Sequence, residues 1–351
     1  MPPRPAARRV AFFSTSFPRD PDDPSGHFVR AEGLERAREG WEVHVFCPGE
    51  GPPRQDGPLH VWPCGGGDAF GWPGALSRLA EHPSRGLDAL AFAHRTRRRL
   101  RREGPWERCV GHFLLPSLAV VPGVANTVEL VGHGSDVRLL ARLPGRSRLV
   151  GGLLARGVQL RFVARALMEE LAASLAPEVA RRLRAEAEAA PSPISMPELA
   201  EPPPLPEGFR VVLCGRLVAS KRFDQGLAAV ARAGATAIVV GDGPARRALE
   251  AEARRQLPPE RVSFLGQRGR RETLAILAAS HALLAPSPTE GAPTVIREAR
   301  CLGLPVVSRA AGDVVDWARR DHGILVAEDP RDPVGALARA LAQSQSTTST
   351  E

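Results

Sequence analysis

The chain of 351 residues contains no tyrosine, and of its 47 basic residues only Lys221 is a lysine. Aromatic residues make up 5% of it, too few for a platform on which successive bases stack. Nucleic acid is therefore not the expected partner, even at a net charge of +8. The five cysteines (Cys47, Cys64, Cys109, Cys214, Cys301) are scattered, odd in number and free of CxxC spacing. That argues against a disulfide framework and against a zinc cluster. No run of about 18 apolar residues occurs, so no membrane-spanning helix is expected. The start, MPPRPAARRVAFFSTS, lacks an apolar core long enough for a signal peptide. The expectation is a cytoplasmic protein in a reducing compartment.

A hydrophobic content of 43% over this length can bury two ordinary cores. The basic excess calls for an acidic partner, either a phosphorylated substrate or anionic lipid. A single ammonium among so many guanidinium groups marks Lys221 as a place that uses a compact point charge. Chance survival of one lysine is the alternative.

The most informative stretch is APSPTEGAPTVIREARCLGLPVVS, Ala285 to Ser308. The preceding HALLAPS reads as a buried strand. Pro293 suits a first helical turn, Gly303 ends the helix, and LPVVS reads as the next strand. Glu290 falls on the loop at the strand's C-terminal end and Glu298 inside the helix. In open α/β sheets ligands bind at that edge. A helix N-terminus there seats phosphate, and carboxylates in front of it accept hydroxyl donors. Phosphate plus hydroxyls suggests a sugar phosphate or a nucleotide sugar.

EGAPTVIREARCLGLPVV resembles the E-x7-E signature of the retaining, GT-B-fold glycosyltransferases of family four. The departure is Ala299-Arg300-Cys301, where the family usually has Ala-Met. The resemblance implies an α/β fold of two Rossmann-like doubly wound domains facing across a cleft. It implies that Glu290 approaches the donor sugar and Glu298 binds the ribose, with Gly291, Ala292, Thr294 and Val295 also on the donor. FRVVLCGRLVASK matches the family's GRL-x3-K motif, which places Gly215, Arg216 and Lys221 on the donor diphosphate. Two cations at a strand's end would neutralise a pyrophosphate leaving group, each charge-assisted bond contributing about 1.5–3 kcal/mol. Gly241 and Gly243 belong to a GDGP turn shared with the family. Gly266 falls in the strand and loop whose main chain reads the base. In the first half, Ser25-Gly26 takes the place of a Gly-rich turn near the phosphates, with an ordinary turn glycine as the alternative. ERCVGHF and TVELVGH read as strands that each end at a histidine. By resemblance His133 lies near the anomeric carbon, and His112 and Asp136 on the acceptor side.

The expected domains are an acceptor-side domain over residues 1–189, a Pro-rich linker over 190–208, a donor domain over 209–343, and a disordered tail over 344–351. VQLRFVARALMEELAASLA reads as strand then helix, the helix running on to about Ala189. Ala75 to Glu103 is helix-compatible with a break at Pro83, and ends in an Arg run. Arg95 to Arg102 could hold an anionic membrane, peripherally and on the inner face; a solvated basic face is the alternative. Asp20-Pro21-Asp22 is formally a metal-binding D-x-D but reads as an exposed turn. The family usually continues for some tens of residues past this chain's last helix.

Together these imply transfer of a sugar, with retention, from a nucleoside diphosphate sugar, UDP ahead of GDP. The acceptor would be a glycan, a lipid-linked sugar or a small molecule, and no metal or cofactor is called for. A nucleotide-sugar epimerase of the same fold and a non-catalytic nucleotide-sugar binding protein are the alternatives.

Overall fold

The computed structural model describes residues 8–71, 78 and 82–348. The chain divides into two units, Met1–Ser195 and Met196–Glu351. The division falls within the Pro-rich stretch.

The first unit is an eight-stranded sheet. In chain order its elements are β1 (Arg8–Phe13), α1 (His27–Arg38), β2 (Trp41–Cys47), β3 (Arg54–Asp56), β4 (Leu59–Pro63), α2 (Gly86–Glu103) and β5 (Trp106–His112). There follow α3 (Leu114–Val120), β6 (Ala125–Gly132), α4 (Ser135–Arg142), α5 (Arg146–Ala155), β7 (Gln159–Phe162), α6 (Arg165–Ala173), α7 (Pro177–Glu186) and β8 (Glu188–Ala189). The strand order is β3-β4-β2-β1-β5-β6-β7-β8, and only β3 runs antiparallel to its neighbour. Val10 to Phe13 of β1 are fully buried. Such a continuous apolar run is what a parallel strand covered on both faces requires. The order reverses between β1 and β5, which makes the loops after those two strands the natural ligand edge.

The second unit repeats the scheme. It contains β9 (Arg210–Cys214), α8 (Phe223–Arg232), β10 (Thr236–Val240), α9 (Arg246–Gln256), β11 (Val262–Gly266), α10 (Arg270–Ala278) and β12 (Ala282–Ala285). It closes with α11 (Thr294–Cys301), β13 (Val306–Ser308), α12 (Val314–Ala318), β14 (Ile324–Val326) and α13 (Pro333–Thr348). Six parallel strands lie in the order β11-β10-β9-β12-β13-β14. Alternate residues of β9 serve opposite faces. Val211 and Leu213 face the core of α8, α9 and α13, whereas Val212 faces that of α10, α11 and α12. The reversal here lies between β9 and β12, whose loops carry Lys221 and Glu290.

Three expectations need correction. The helix after β7 does not run to Ala189. It stops at Ala173, restarts at Pro177, which has no N–H to lose in a first turn, and ends at Glu186. The tail is helical as far as Thr348: Ser344 is buried, and the Ser346 hydroxyl bonds back to the Ala342 carbonyl, so the helix outlasts its apolar spacing. Pro293 caps α11 from outside its first turn, with ψ 111°. The helix read from Ala75 with a break at Pro83 agrees with the described residues: Arg78 is helical, a short 3-10 turn starts at Pro83, and α2 runs from Gly86. Residues 72–77, 79–81 and 349–351 lie outside the described residues.

Candidate functional site

In the second unit the β9 loop and the GDGP turn are bonded into one piece. Gly215 N donates to Val240 O at 2.9 Å, Leu217 N to Asp242 O at 2.8 Å, and Ala245 N to Leu217 O at 2.9 Å. Gly241 N in turn donates to Gly266 O at 2.8 Å, which ties in the loop after β11. Gly241 has φ 129°, and a Cβ on it would sit 1.9 Å from the Gly215 carbonyl oxygen. Glycine is required there so that two backbones can touch. Gly243 lies in the same turn, against Leu217.

Beyond Leu217 the chain makes a 3-10 turn, Ala219–Lys221. Lys221 Nζ donates to Glu290 Oε1, across the reversal between β9 and β12. The Ser287 hydroxyl, 3.1 Å from Thr289 O and 3.4 Å from Ser220 O, makes a second link between the same two loops. Arg216 is exposed at the end of β9. Gly291 is buried, and Ala292, Thr294 and Val295 are partly exposed along the turn into α11.

Glu298 is buried in the middle of α11, and Arg270 meets it, with Nη1 2.6 Å from Oε1. The Cys214 thiol is pushed up to about 12, mainly by burial and also by the Glu298 carboxylate, with the Lys221 ammonium opposing. Glu298 and Lys221 thus both lie near the end of β9. Sequence reasoning missed Arg270. Gly-Arg-Arg-Glu at a helix start reads as surface charge, and only the packing of α10 beside α11 turns Arg270 inward.

In the first unit His112 and His133 meet, Nδ1 to Nε2 at 3.1 Å. Phe28 and Phe113 flank the His133 ring, each with centroids 4.7 Å away. Both histidines sit well below the usual imidazole pKa. Burial is the main cause, and the Arg161 guanidinium adds to it in each case. They are neutral at pH 7. His112 is fully buried and its Nε2 has no hydrogen-bond partner among the described residues. Backbone amides surround Asp136. Its carboxylate accepts from Leu114 N at 2.7 Å, Gly134 N at 2.8 Å and His133 N at 3.1 Å. It staples the loops after β5 and β6 together, and burial holds its pKa above the ordinary value. Gly26 caps α1 with φ 66°, past the loop that follows β1.

Beneath the histidines runs a buried ion triad that the sequence reading did not find. Arg161 of β7 bonds Glu129 of β6 at 2.7 Å and Glu32 of α1 at 2.5 Å. Two non-glycine residues have positive φ among the described residues, and both adjoin these groups: Phe113 at 69° beside His112, and Arg222 at 51° beside Lys221. Each such residue costs about 1–3 kcal/mol, a strain that collects at functional sites.

Of the metal-capable groupings, Glu42, His44 and His60 come together within 4.8 Å among the described residues. They do not fit an ion. The two rings stack at 4.5 Å and 11°, so their in-plane lone pairs run parallel instead of converging. His44 Nδ1 accepts from Trp62 Nε1 at 3.0 Å, and the Arg9 guanidinium adjoins His44 and Glu42. In the D-x-D, Asp20 accepts from Asp22 N at 2.9 Å, an ordinary Asx turn.

Residues 208–344 match the family model described as Glycosyl transferases group 1. Over 104 residues the chain is 33% identical to a component of the phosphatidylinositol N-acetylglucosaminyltransferase of Arabidopsis thaliana. That match covers 30% of this chain and 23% of the plant protein, so the chain spans under a quarter of its length. Sucrose-phosphate synthase from Thermosynechococcus elongatus superposes with a TM-score of 0.69 at 18% identity, over 96% of this chain and 90% of that one. A trehalose-6-phosphate protein from E. coli, bound with UDP-2-fluoro glucose, gives 0.66 at 14% identity, over 96% and 91%. At these identities the structural likeness is one of fold. The two sheets have the GT-B fold of such proteins, and residues 208–344 are similar to the group 1 glycosyl transferases.

Proposed function

We propose that the chain transfers a sugar, with retention, from a nucleoside diphosphate sugar to a glycan, lipid-linked or small-molecule acceptor. The observation that carries this is the Lys221–Glu290 pair, with Glu298 close by at the end of β9. An ammonium and two carboxylates gathered where a parallel sheet reverses match a ligand that is anionic at one end and rich in hydroxyls at the other. Cleaving the anomeric bond builds negative charge on the departing diphosphate and positive charge on the ring. Arg216, Lys221 and the N-terminus of α11 neutralise the first. Glu290 holds sugar hydroxyls and Glu298 the ribose. The donor takes Lys221 over from Glu290: ammonium to phosphate, carboxylate to sugar. Protein cations do the work a metal would do, so the reading calls for none. In the first unit His133, half-buried between two phenylalanines, supports the anomeric side, and His112 orients it. The UDP-2-fluoro glucose on the E. coli relative favours UDP as the carrier.

A lipid-linked acceptor goes with attachment at the inner face of a membrane. Within the Arg run, Arg95, Arg97 and Arg99 turn inward, onto Cys64 O, Val120 O and the Trp62 ring. Leu87, Leu90, His94, Arg98 and Arg101 recur at helical spacing on the exposed face of α2. That stripe, apolar at one end and basic at the other, fits an anionic bilayer surface.

The deciding experiment is a thermal-shift screen of UDP, GDP and ADP sugars, followed by product analysis with and without acceptor. Transfer that needs an acceptor supports the reading. Conversion of the donor sugar alone means an epimerase, and binding without turnover means a binding protein.

A further inference from the structure

Arg270 and Glu298 are more than nine-tenths buried, at 7% and 5% exposure. Removing two charges from water is costly, and an apolar pair of the same volume would join the helices at least as well. Leu274 and Leu277 of α10 already share a core with Ile296 and Ala299 of α11. Stability therefore does not account for the ion pair. Its position does. Arg270 is the first residue of α10, immediately after the loop that follows β11. That loop begins at Gly266, whose carbonyl accepts from Gly241. Glu298 lies by Cys214 at the end of β9, close to Lys221. The pair thus runs from the β11 loop to the carboxylate at the sheet's reversal.

We propose that Arg270 is a positioning residue that holds Glu298 in one orientation for the hydroxyls of the donor ribose, so that the site distinguishes ribose from 2′-deoxyribose. This rests on the donor reading given above. An ionised carboxylate only accepts, so it can receive a vicinal diol; a protonated one would compete by donating. The bond from Nη1 to Oε1 at 2.6 Å tethers one carboxylate oxygen and so narrows the orientations the group can take. A site built to bond a hydroxyl rejects an analogue without it, because a buried acceptor is left unpaired. Glu298 keeps 7% of its side chain exposed, an edge that a ligand can reach.

The test is calorimetric binding of UDP and 2′-deoxy-UDP, with the guanosine pair run alongside, to the full chain and to Arg270→Gln, Arg270→Lys and Glu298→Gln. The wild type is expected to prefer the ribonucleotide about tenfold. Arg270→Gln should bind it about tenfold more weakly, with the preference reduced to within twofold. Arg270→Lys keeps the charge but not the fork, and should lose about threefold of the preference. Adding Arg270→Gln to Glu298→Gln should cost nothing further. Should Arg270→Gln not fold, the Lys variant decides. An undiminished ribose preference in the folded Arg270 variants overturns the role of Arg270 and leaves the donor reading intact. A wild type that binds none of these nucleotides overturns both.

Discussion

The ammonium of Lys221 donates to Glu290 Oε1, which bonds the chain's only lysine to the loop that leads into α11. Both side chains are partly exposed, at 26% and 18%, and pairs of that kind contribute little to stability. Lys221→Ala should therefore fold normally, with a melting temperature close to wild type. Turnover of the donor found in the screen should fall by roughly two to three decades, the scale for one transition-state donor. Lys221→Arg restores the charge without the compact geometry, and should recover no more than about tenfold of the loss, in keeping with the different donor shapes of the two cations. Unchanged transfer in the alanine variant would remove Lys221 from the mechanism.

Gly241→Ala tests the seam between the GDGP turn and the β9 loop. The new Cβ would meet the Gly215 carbonyl oxygen at 1.9 Å, and φ 129° is a conformation that side chains rarely adopt. Backbone cannot swing aside as a side-chain tip can. Strain and overpacking together should cost about 2–4 kcal/mol in urea unfolding. Donor affinity should fall as well, because the displaced loop carries Arg216 and Lys221. A variant as stable as wild type would mean that the two loops part easily.

The parallel sheets were legible because their strands are continuous apolar runs punctuated by glycine turns. The loops after β9, β10 and β12 were legible because GRL, GDGP and the paired glutamates stand in register with strand ends. His112 and His133 could each be placed at the end of a strand, yet their contact could not be foreseen. It depends on β5 and β6 being neighbours, which no local pattern announces. Charged residues that pair in the interior were the least legible. Glu32 lies in RAEGLERAR and Arg161 in VQLRF, and each reads locally as a surface or edge residue. They are 129 positions apart, and only the folding of α1 over β6 and β7 brings them to 2.5 Å. The backbone partners of Asp136 were hidden for a related reason. A carboxylate after a strand looks available until the backbone amides of a second loop are placed around it.

The exposed face of α2 yields a prediction in which two halves of one Arg run behave differently. Leu87 and Leu90 are 72% and 69% exposed, and Arg98 and Arg101 form no ion pair or hydrogen bond among the described residues. Binding to phosphatidylglycerol-containing vesicles should weaken about thirtyfold in Arg98→Gln/Arg101→Gln, at about 1 kcal/mol per basic residue near the surface. Leu87→Ser/Leu90→Ser should weaken it independently of salt. Arg97→Gln, whose parent side chain bonds Val120 O, should instead lower stability and leave the lipid dependence unchanged. Vesicle binding indifferent to anionic lipid content refutes the proposed surface.

The neutral histidine pair makes stability depend on pH with a definite sign. Burial and the Arg161 guanidinium hold both pKa values well below that of an unfolded imidazole. As pH falls through about 6.5, the unfolded chain takes up protons at these positions and the folded chain does not. Stability is therefore full at pH 7 and above, and declines toward pH 5. The limiting slope is about 1.4 kcal/mol per pH unit for each ring. The raised pKa of Asp136 works in the opposite direction, since a carboxyl that protonates more readily when folded gains stability as pH falls. That contribution is common to wild type and His112→Asn, so the difference between them isolates the ring. Urea unfolding at pH 7, 6 and 5 should show the variant losing less stability on acidification, by up to the slope of one imidazole. Asparagine keeps a hydrogen-bonding group near His133 Nε2, so packing against Phe12 and Phe28 is the main loss at pH 7. Parallel curves for the two proteins would mean that the rings take up protons in the fold as easily as in water, and that Arg161 does not act on them.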